Sequence, residues 1–473
     1  MAATPEGEAP DLRGAKRILS MLLVAFAVSY ADVALIASLR KSVREEFHLS
    51  DLQSGPLFGA ALALVYALAA LPLAKLADRV NRRWIITLSL LLWGGFTLAC
   101  GFAWNFWQLF GGRMGAAFCL AALTPAALSI IADYRHTGER ARAIGIFSLG
   151  IPIGLMAGGL LSSWITQEYN WRIACFAIGA PGVVMAFLFR AVISKGRPRH
   201  EPITHDDHEL HTAPLGPRSK KPSLLHLTIG LTLVAFVGFA FFKFMLALLA
   251  RNYPLSDMQA GALAALINGL GGALGIYAGG ALAQRWTVRD FRFQARIPAM
   301  VCVLAAVVFA LALIQGALWL LSALMVLGII LLCMSFAPAF ASILDAAPYE
   351  SRAMSVGWTM FFIGIVGMGL GPLALGIVSN KFAAANFDPA MMFHGLDYAT
   401  ACANRVLAGN EQSCAAAAAS GLRQAMFVIT ALLLWAAAHF ARAARTLHVD
   451  SGLPKPEPKP KKPRRSIHDD EEH

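Results

Sequence analysis

The chain has 473 residues, 57% of them hydrophobic and 14% charged, with a formal net charge of +12. Soluble domains carry about a quarter charged residues, whereas here the few charges crowd into short stretches between long apolar ones. That pattern excludes a disordered or collagen-like chain and a pair of ordinary soluble domains, and it points to a protein that crosses a membrane many times.

Residues 1–17 are polar and no cleavage site follows the first apolar run, so a cytoplasmic tail leading into an anchor is expected, not a removable leader. Twelve apolar segments of spanning length follow. The first six are 18–39, 55–77, 84–104, 107–132, 143–165 and 172–193, and they form a predicted N-terminal bundle over 18–193. Residues 194–224, rich in Pro, His and charge, read as a disordered cytoplasmic linker. His200, His205, His208 and His211 lie there among acids, as a solvated linker explains, and no metal site is expected. The second bundle, 225–443, holds spans 225–250, 259–283, 297–315, 317–343, 354–378 and 421–443, with an outside loop over 379–420. A disordered cytoplasmic tail is expected over 444–473.

Roughly three quarters of the 40 Lys and Arg fall on one side if both termini are cytoplasmic, which sets the orientation. The basic charge is then a topology signal, and nucleic acid is not an expected partner. The chain also repeats itself. Leu49-Ser50-Asp51-Leu52-Gln53-Ser54-Gly55 precedes the second span, and Leu255-Ser256-Asp257-Met258-Gln259-Ala260-Gly261 precedes the eighth. Leu76-Ala77-Asp78-Arg79 matches Leu282-Ala283-Gln284-Arg285 at the other ends, and Arg142-Ala143 echoes Arg352-Ala353. An all-α membrane protein of two pseudo-symmetric six-helix bundles follows, an architecture of secondary transporters.

Asp78-Arg79-Val80-Asn81-Arg82-Arg83 resembles the signature loop of the major facilitator superfamily, in the form typical of its bacterial spinster-like branch. Asn105-Phe106-Trp107-Gln108-Leu109-Phe110, the run Gly145 to Pro152, Gly179-Ala180-Pro181-Gly182, the run Gly269 to Gly275 and Ala443-Ala444-Arg445-Thr446-Leu447 are similar to that branch too. The resemblance implies the major facilitator fold, with the first, fourth and seventh helices lining a central cavity and the fifth and eighth meeting between the halves. It also implies alternating access, a lysolipid or other amphiphilic anion as cargo, and a cytoplasmic latch of Asp78, Arg79, Arg82 and Arg83. Gln284 stands where the repeat would place a second Asp, so the latch is expected to be asymmetric. The polar centre departs from the branch: Val33 replaces an Arg, Leu120 replaces a Glu, and Lys243 stands where a neutral residue is usual.

Charge inside a span is costly and faces a cavity or a partner. Asp32, Arg113 and Lys243 qualify. Each lies eight residues from an outer helix end marked by Arg40, Asn105 and Arg251, roughly 12 Å deep at about 1.5 Å per residue. Asp32 and Arg113 are expected to pair, with Lys243 facing them across the cavity. Asp32 is the candidate proton-coupling group, and Arg113 and Lys243 are candidate anion holders. A locked Asp32 would instead favour a facilitator of a small organic anion. Tyr30, Tyr66, Asn268 and Trp358 are further candidates to line the site, as are Ser29 and Tyr277. Gly150, Gly154 and Gly158, and Gly271, Gly275 and Gly279, form smooth faces expected to meet across the two halves. Cys402 and Cys414, twelve apart in the outside loop, are candidates for a disulfide if that side is periplasmic.

No histidine lies deep in a span, and no HExxH or Walker A sequence occurs, which disfavours a membrane-embedded lipid-processing enzyme or receptor. The expected protein is a cofactor-free, monomeric secondary transporter of the bacterial inner membrane. Its expected partners are the lipid bilayer, a small-molecule or lipid substrate and a proton.

Overall fold

A computed structural model describes residues 12–48, 61–193, 221–387, 398, 402 and 411–452. Among them, twelve helices are long and apolar enough to cross a membrane. They are α1 (Gly14–Arg40), α2 (Ala61–Arg79), α3 (Arg82–Cys100), α4 (Phe106–Tyr134), α5 (Gly138–Glu168), α6 (Trp171–Val192), α7 (Pro222–Asn252), α8 (Met258–Thr287), α9 (Phe293–Leu313), α10 (Leu318–Ala346), α11 (Tyr349–Ala385) and α12 (Gln412–Asp450).

The helices outrun the apolar segments that announce them. The backbone of the first helix begins at Leu12, inside the expected tail 1–17, and continues to Glu46. Helix α7 starts at Pro222, so the last residues of the expected linker 194–224 are helical, with Pro in the first turn where its missing N–H costs nothing. Helix α12 runs to Asp450, into the expected tail 444–473. The expected loop 379–420 is shortened at both ends, because helix continues to Ala385 and resumes at Glu411. The physical reason is common to all four cases. Hydropathy marks where a helix leaves lipid, while hydrogen bonding and caps mark where it ends. Ser256 and Gln259 form the capping box that starts α8. The other copy of that motif, at Ser50 and Gln53, lies outside the described residues, as do the four linker histidines.

Breaks recur in the two halves. Helix α4 is interrupted at Ala121-Ala122, just before Pro125, and α10 at Met334-Ser335, just before Pro338. In each case the proline lacks the N–H that would continue the ladder. The same packing recurs in each half: α1 lies on α5 and α3 on α6, as α7 lies on α11 and α9 on α12. The halves meet through α2 against α11 and through α5 against α8. Buried Trp93, Phe147 and Phe189 fill the first half, and Phe241, Phe309 and Phe440 the second.

The glycine stripes require a correction. Methyl groups at Gly150, Gly154 and Gly158 would strike Leu23, Ala27 and Ala31 of α1. Those at Gly271, Gly275 and Gly279 would strike Val326, Ile329, Ile330 and Met334 of α10. Both stripes therefore close a contact inside their own half. The close approach between halves belongs to other glycines. Gly145 and Gly280 bring α5 and α8 together, with only 3.3 Å from a Cβ at Gly145 to the Gly280 Cα. Gly357 and Gly364 bring α11 onto Ala74 and Ala67 of α2. Spacing of four marks a smooth face on a helix but does not say which neighbour takes it.

Candidate functional site

Asp32 of α1 and Arg113 of α4 form a two-pronged ion pair. Arg113 Nη1 donates to Asp32 Oδ1 and Nη2 to Oδ2, both at 2.8 Å. The same carboxylate accepts from Trp93 Nε1 and Thr97 Oγ1 of α3, both at 3.2 Å. Asp32 is only 2% exposed and Arg113 4%. A carboxylate with four donors is compensated for leaving water, as a buried charge must be. Three helices of one half are thereby pinned at one point.

Lys243 is not bonded to either of them. It is exposed, on the side of α7 away from buried Phe241, Met245 and Leu249, and it makes no ion pair or hydrogen bond among the described residues. Equal depth along a helix leaves azimuth undetermined. The other lining candidates are dispersed. Ser29 is buried and donates to Ala25 O at 2.8 Å. Tyr30 packs edge-on to Phe26, and the Tyr66 hydroxyl is hydrogen-bonded to Thr124. Asn268 donates to Ala264 O of its own helix at 2.9 Å. Trp358 stacks on Phe362, and Tyr277 is exposed.

At the face that carries both chain ends, the two halves are tied by charge. Asp78 of α2 accepts hydrogen bonds from the backbone N–H groups of Ala353 and Met354, at 3.0 and 2.8 Å, in the first turn of the regular helix of α11. A carboxylate is favoured there by the helix dipole and the free N–H groups. Arg82 pairs with Asp133 and lies 5.5 Å from the centroid of the Tyr349 ring, which belongs to the other half. Arg83 donates to the Tyr134 hydroxyl at 2.7 Å. Arg79 is exposed and has no ion pair among the described residues. The mirror contact at Gln284 is slight: Arg142 reaches its side-chain oxygen at 3.5 Å.

Two more ion pairs cross between the halves here, and neither was anticipated. Arg140 pairs with Asp345, and Arg352 pairs with Asp133 at 3.5 Å. A signal was present in the chain, because Asp133 precedes Arg140 by seven residues and Asp345 precedes Arg352 by seven. Each Asp bonds the Arg of the other copy. That exchange of partners is invisible until the halves are brought together.

At the opposite face, the contacts of Glu46, Arg423 and Asn386 stay within one half. Glu46 binds Arg172 at 2.7 Å and accepts from Trp171 Nε1 at 2.6 Å. The Arg172 hydrogen bond, followed by that from Trp171, holds the Glu46 carboxyl below its usual range. Arg423 donates to Gln315 O at 3.2 Å, and Asn386 donates to Gln424 Oε1 at 3.0 Å. Cys402 and Cys414 are joined by a disulfide, with Cα atoms 5.8 Å apart. No group of three or more His, Cys, Asp or Glu side chains placed to hold a metal occurs among the described residues.

Known proteins resemble this chain over most of its length. The profile of the Major Facilitator Superfamily matches residues 22–372. The chain is 27% identical to an "MFS-type efflux pump" of Mycolicibacterium smegmatis, over 78% of this chain and 86% of that protein. It is 27% identical to a gallate transporter of Pseudomonas putida, over 76% of this chain and 84% of that one. Among solved structures it is similar to a bacterial homologue of the human lysosomal transporter Spinster, in an inward-facing and unoccupied conformation. That similarity has a TM-score of 0.62 and 27% identity, and covers 93% of this chain and 99% of that one.

Proposed function

This chain belongs to the Major Facilitator Superfamily and is a secondary transporter, and we propose that it carries an organic or amphiphilic anion by alternating access. The observation that supports this most is the contrast between the two faces. Ion pairs and helix-end contacts join the halves at the terminal face, whereas the contacts of Glu46 and Arg423 at the other face stay inside each half. A binding region between the halves then opens away from the termini. In this reading Asp78, Arg82 and Arg83 latch that state, with Asp133, Arg140, Asp345 and Arg352, and Arg79 keeps the loop on its side of the membrane.

Orientation follows from charge. The basic residues concentrate on the terminal face, which makes it cytoplasmic in this proposal. The disulfide on the far side suits an oxidising compartment. Both are consistent with a bacterial inner membrane. The anionic cargo is suggested by the relatives, one of which transports gallate, and by the cations near the open end.

The state of Asp32 bears on coupling. Four hydrogen bonds, two of them from a guanidinium, engage the Asp32 carboxylate and tie it to its own half. The geometry thus favours a facilitator in which the pair braces the first half. Proton-linked transport through Asp32 is the second reading, and it needs the pair to part during the cycle. Arg113 engages Asp32 through both Nη atoms and keeps only a buried Nε without a partner, which leaves Lys243 as the exposed intramembrane cation.

Purified protein in proteoliposomes, tested with gallate and with a lysophospholipid at several pH values, distinguishes these readings. Saturable flux of one probe, little changed by a proton gradient, is the expected result. Flux driven by the gradient and lost in Asp32→Asn would establish the coupled reading. Absence of flux across a broad set of organic anions would overturn the assignment of cargo.

A further inference from the structure

Two histidines toward the terminal face take no part in the latch or in the Asp32 site. His226 of α7 and His439 of α12 meet with their Nδ1 atoms 2.9 Å apart, so one ring donates to the other. His226 lies four residues into its helix from Pro222, about 6 Å along it at about 1.5 Å per residue. Neither Nε2 atom has a partner among the described residues, and neither is sealed in the interior. The His439 ring centroid stands 6.0 Å from that of Trp435. Exposed Leu434 and Trp435 belong to an apolar strip on the outside of α12, and exposed Arg442 and Arg445 continue that strip toward the chain end. Neither arginine has an ion pair or hydrogen bond among the described residues. The other charges on the packed helices are engaged elsewhere. Lys221 donates to Ala346 O and Asp450 O, and Asp450 accepts from the Ser223 N–H. Arg296 of α9 pairs with Asp290, and Arg352 of α11 pairs with Asp133.

We propose that His226, His439 and Arg442 hold the phosphate of an anionic membrane lipid whose chains lie along Trp435 and Leu434. An exposed Trp followed by cations on the same helix face marks the level where hydrocarbon gives way to headgroups. Arg442 offers its planar fork to two phosphate oxygens. The histidine pair adds a part that depends on protons. A neutral pair shares one hydrogen between its Nδ1 atoms and leaves one Nε2 bare. One more proton on that Nε2 keeps the shared bond, turns one ring into an imidazolium and gives the pair two outward N–H donors. Arg442, three residues on from His439 and on a neighbouring face of the helix, opposes that added charge, whereas a phosphate offsets both cations. Proton uptake and lipid binding therefore assist each other, and by linkage the lipid is held more tightly below neutral pH. The site sits on the outer wall of the second half, so it is independent of the cargo and of the coupling reading.

The test counts lipid retained by the full-length protein in native mass spectrometry, after equilibration in detergent with phosphatidylglycerol or phosphatidylcholine at pH 6 and pH 8. One phosphatidylglycerol is expected to bind in preference to phosphatidylcholine, and several-fold more tightly at pH 6 than at pH 8. Arg442→Ala, at an exposed position, should weaken it about fivefold or more. Arg289→Ala, at another exposed cation of the terminal face, should leave it unchanged. His226→Gln should remove the difference between the two pH values. It alters the half-buried member of the pair, so the test does not hang on the folding of a variant at buried His439. Equal retention of the two lipids, or binding that neither Arg442→Ala nor His226→Gln alters, would overturn the site. Inorganic phosphate that displaces the lipid at equal concentration would show a plain anion site and overturn the lipid as its occupant.

Discussion

The two faces of this protein use the same residues, Asp, Glu and Arg, to opposite ends. At the terminal face they bond across the halves, as in Arg140 with Asp345, Arg352 with Asp133, and Asp78 with the start of α11. At the far face they bond within a half, as in Glu46 with Arg172 and Arg423 with Gln315. The difference teaches that charge pairing here records a conformational state as much as stability. Ties within a half survive any rocking motion, while ties between halves must break and re-form in each cycle. The interhalf pairs are themselves largely buried, with side-chain exposures of 10% and 1% for Arg140 and Asp345 and 15% and 9% for Arg352 and Asp133. The pair inside the first half, Asp32 with Arg113, is almost fully buried as well.

The largest effect comes from breaking the buried tie. Arg113→Ala leaves a carboxylate in apolar surroundings and costs about 3–5 kcal/mol, read as a lower melting temperature in detergent. Asp32→Ala/Arg113→Ala together should cost less than Arg113→Ala alone, because no orphan charge remains. A double variant as unstable as the worse single one would argue that the pair's attraction matters less than its packing.

A second comparison sets two glycines against each other. Gly154→Ala forces a methyl to within 2.2 Å of Ala27 O inside the first half, and should destabilise the fold by about 1–3 kcal/mol. Gly357→Ala forces one to within 2.4 Å of the Ala74 Cβ in the other half. It should leave melting nearly unchanged and open the terminal face instead, measured as faster thiol labelling of an introduced cysteine there. Asp345→Asn acts in the same direction through Arg140, with about 1–3 kcal/mol lost from the joined state. If Gly357→Ala and Asp345→Asn lower the melting temperature without exposing that face, the distinction between the two kinds of tie fails.

The smallest effect lies at Glu46. Its folded pKa is lowered, chiefly by Arg172, so the stability it adds is present above the unfolded value and is lost as pH falls through the lowered one. Side-chain exposure of 41% keeps this below about 1 kcal/mol after solvent screening. Glu46→Gln should flatten the fall in melting temperature between neutral and strongly acidic pH. It should leave the terminal face untouched.

Much of this was legible in the residues. Twelve spans, their grouping into two halves and the Asp32–Arg113 pair follow from apolar run length, an internal repeat and shared depth. The glycine stripes misled because regular spacing announces a close neighbour without naming it. The crossed Asp–Arg pairs escaped because two like motifs, far apart in the chain, gave no hint that each would bond the other's partner.

Local and one-dimensional properties were therefore decided along the chain: which segments enter lipid, where helices are capped, how charge is shared between the two sides, and that the halves repeat. Hydropathy, hydrogen-bond satisfaction and charge each act over a few residues, so sequence carries them directly. The assembled helices alone decided which face of each helix meets which neighbour and which charges exchange across the halves. Those outcomes depend on helix azimuth and on packing between segments hundreds of residues apart, where a rotation of one residue changes the partner.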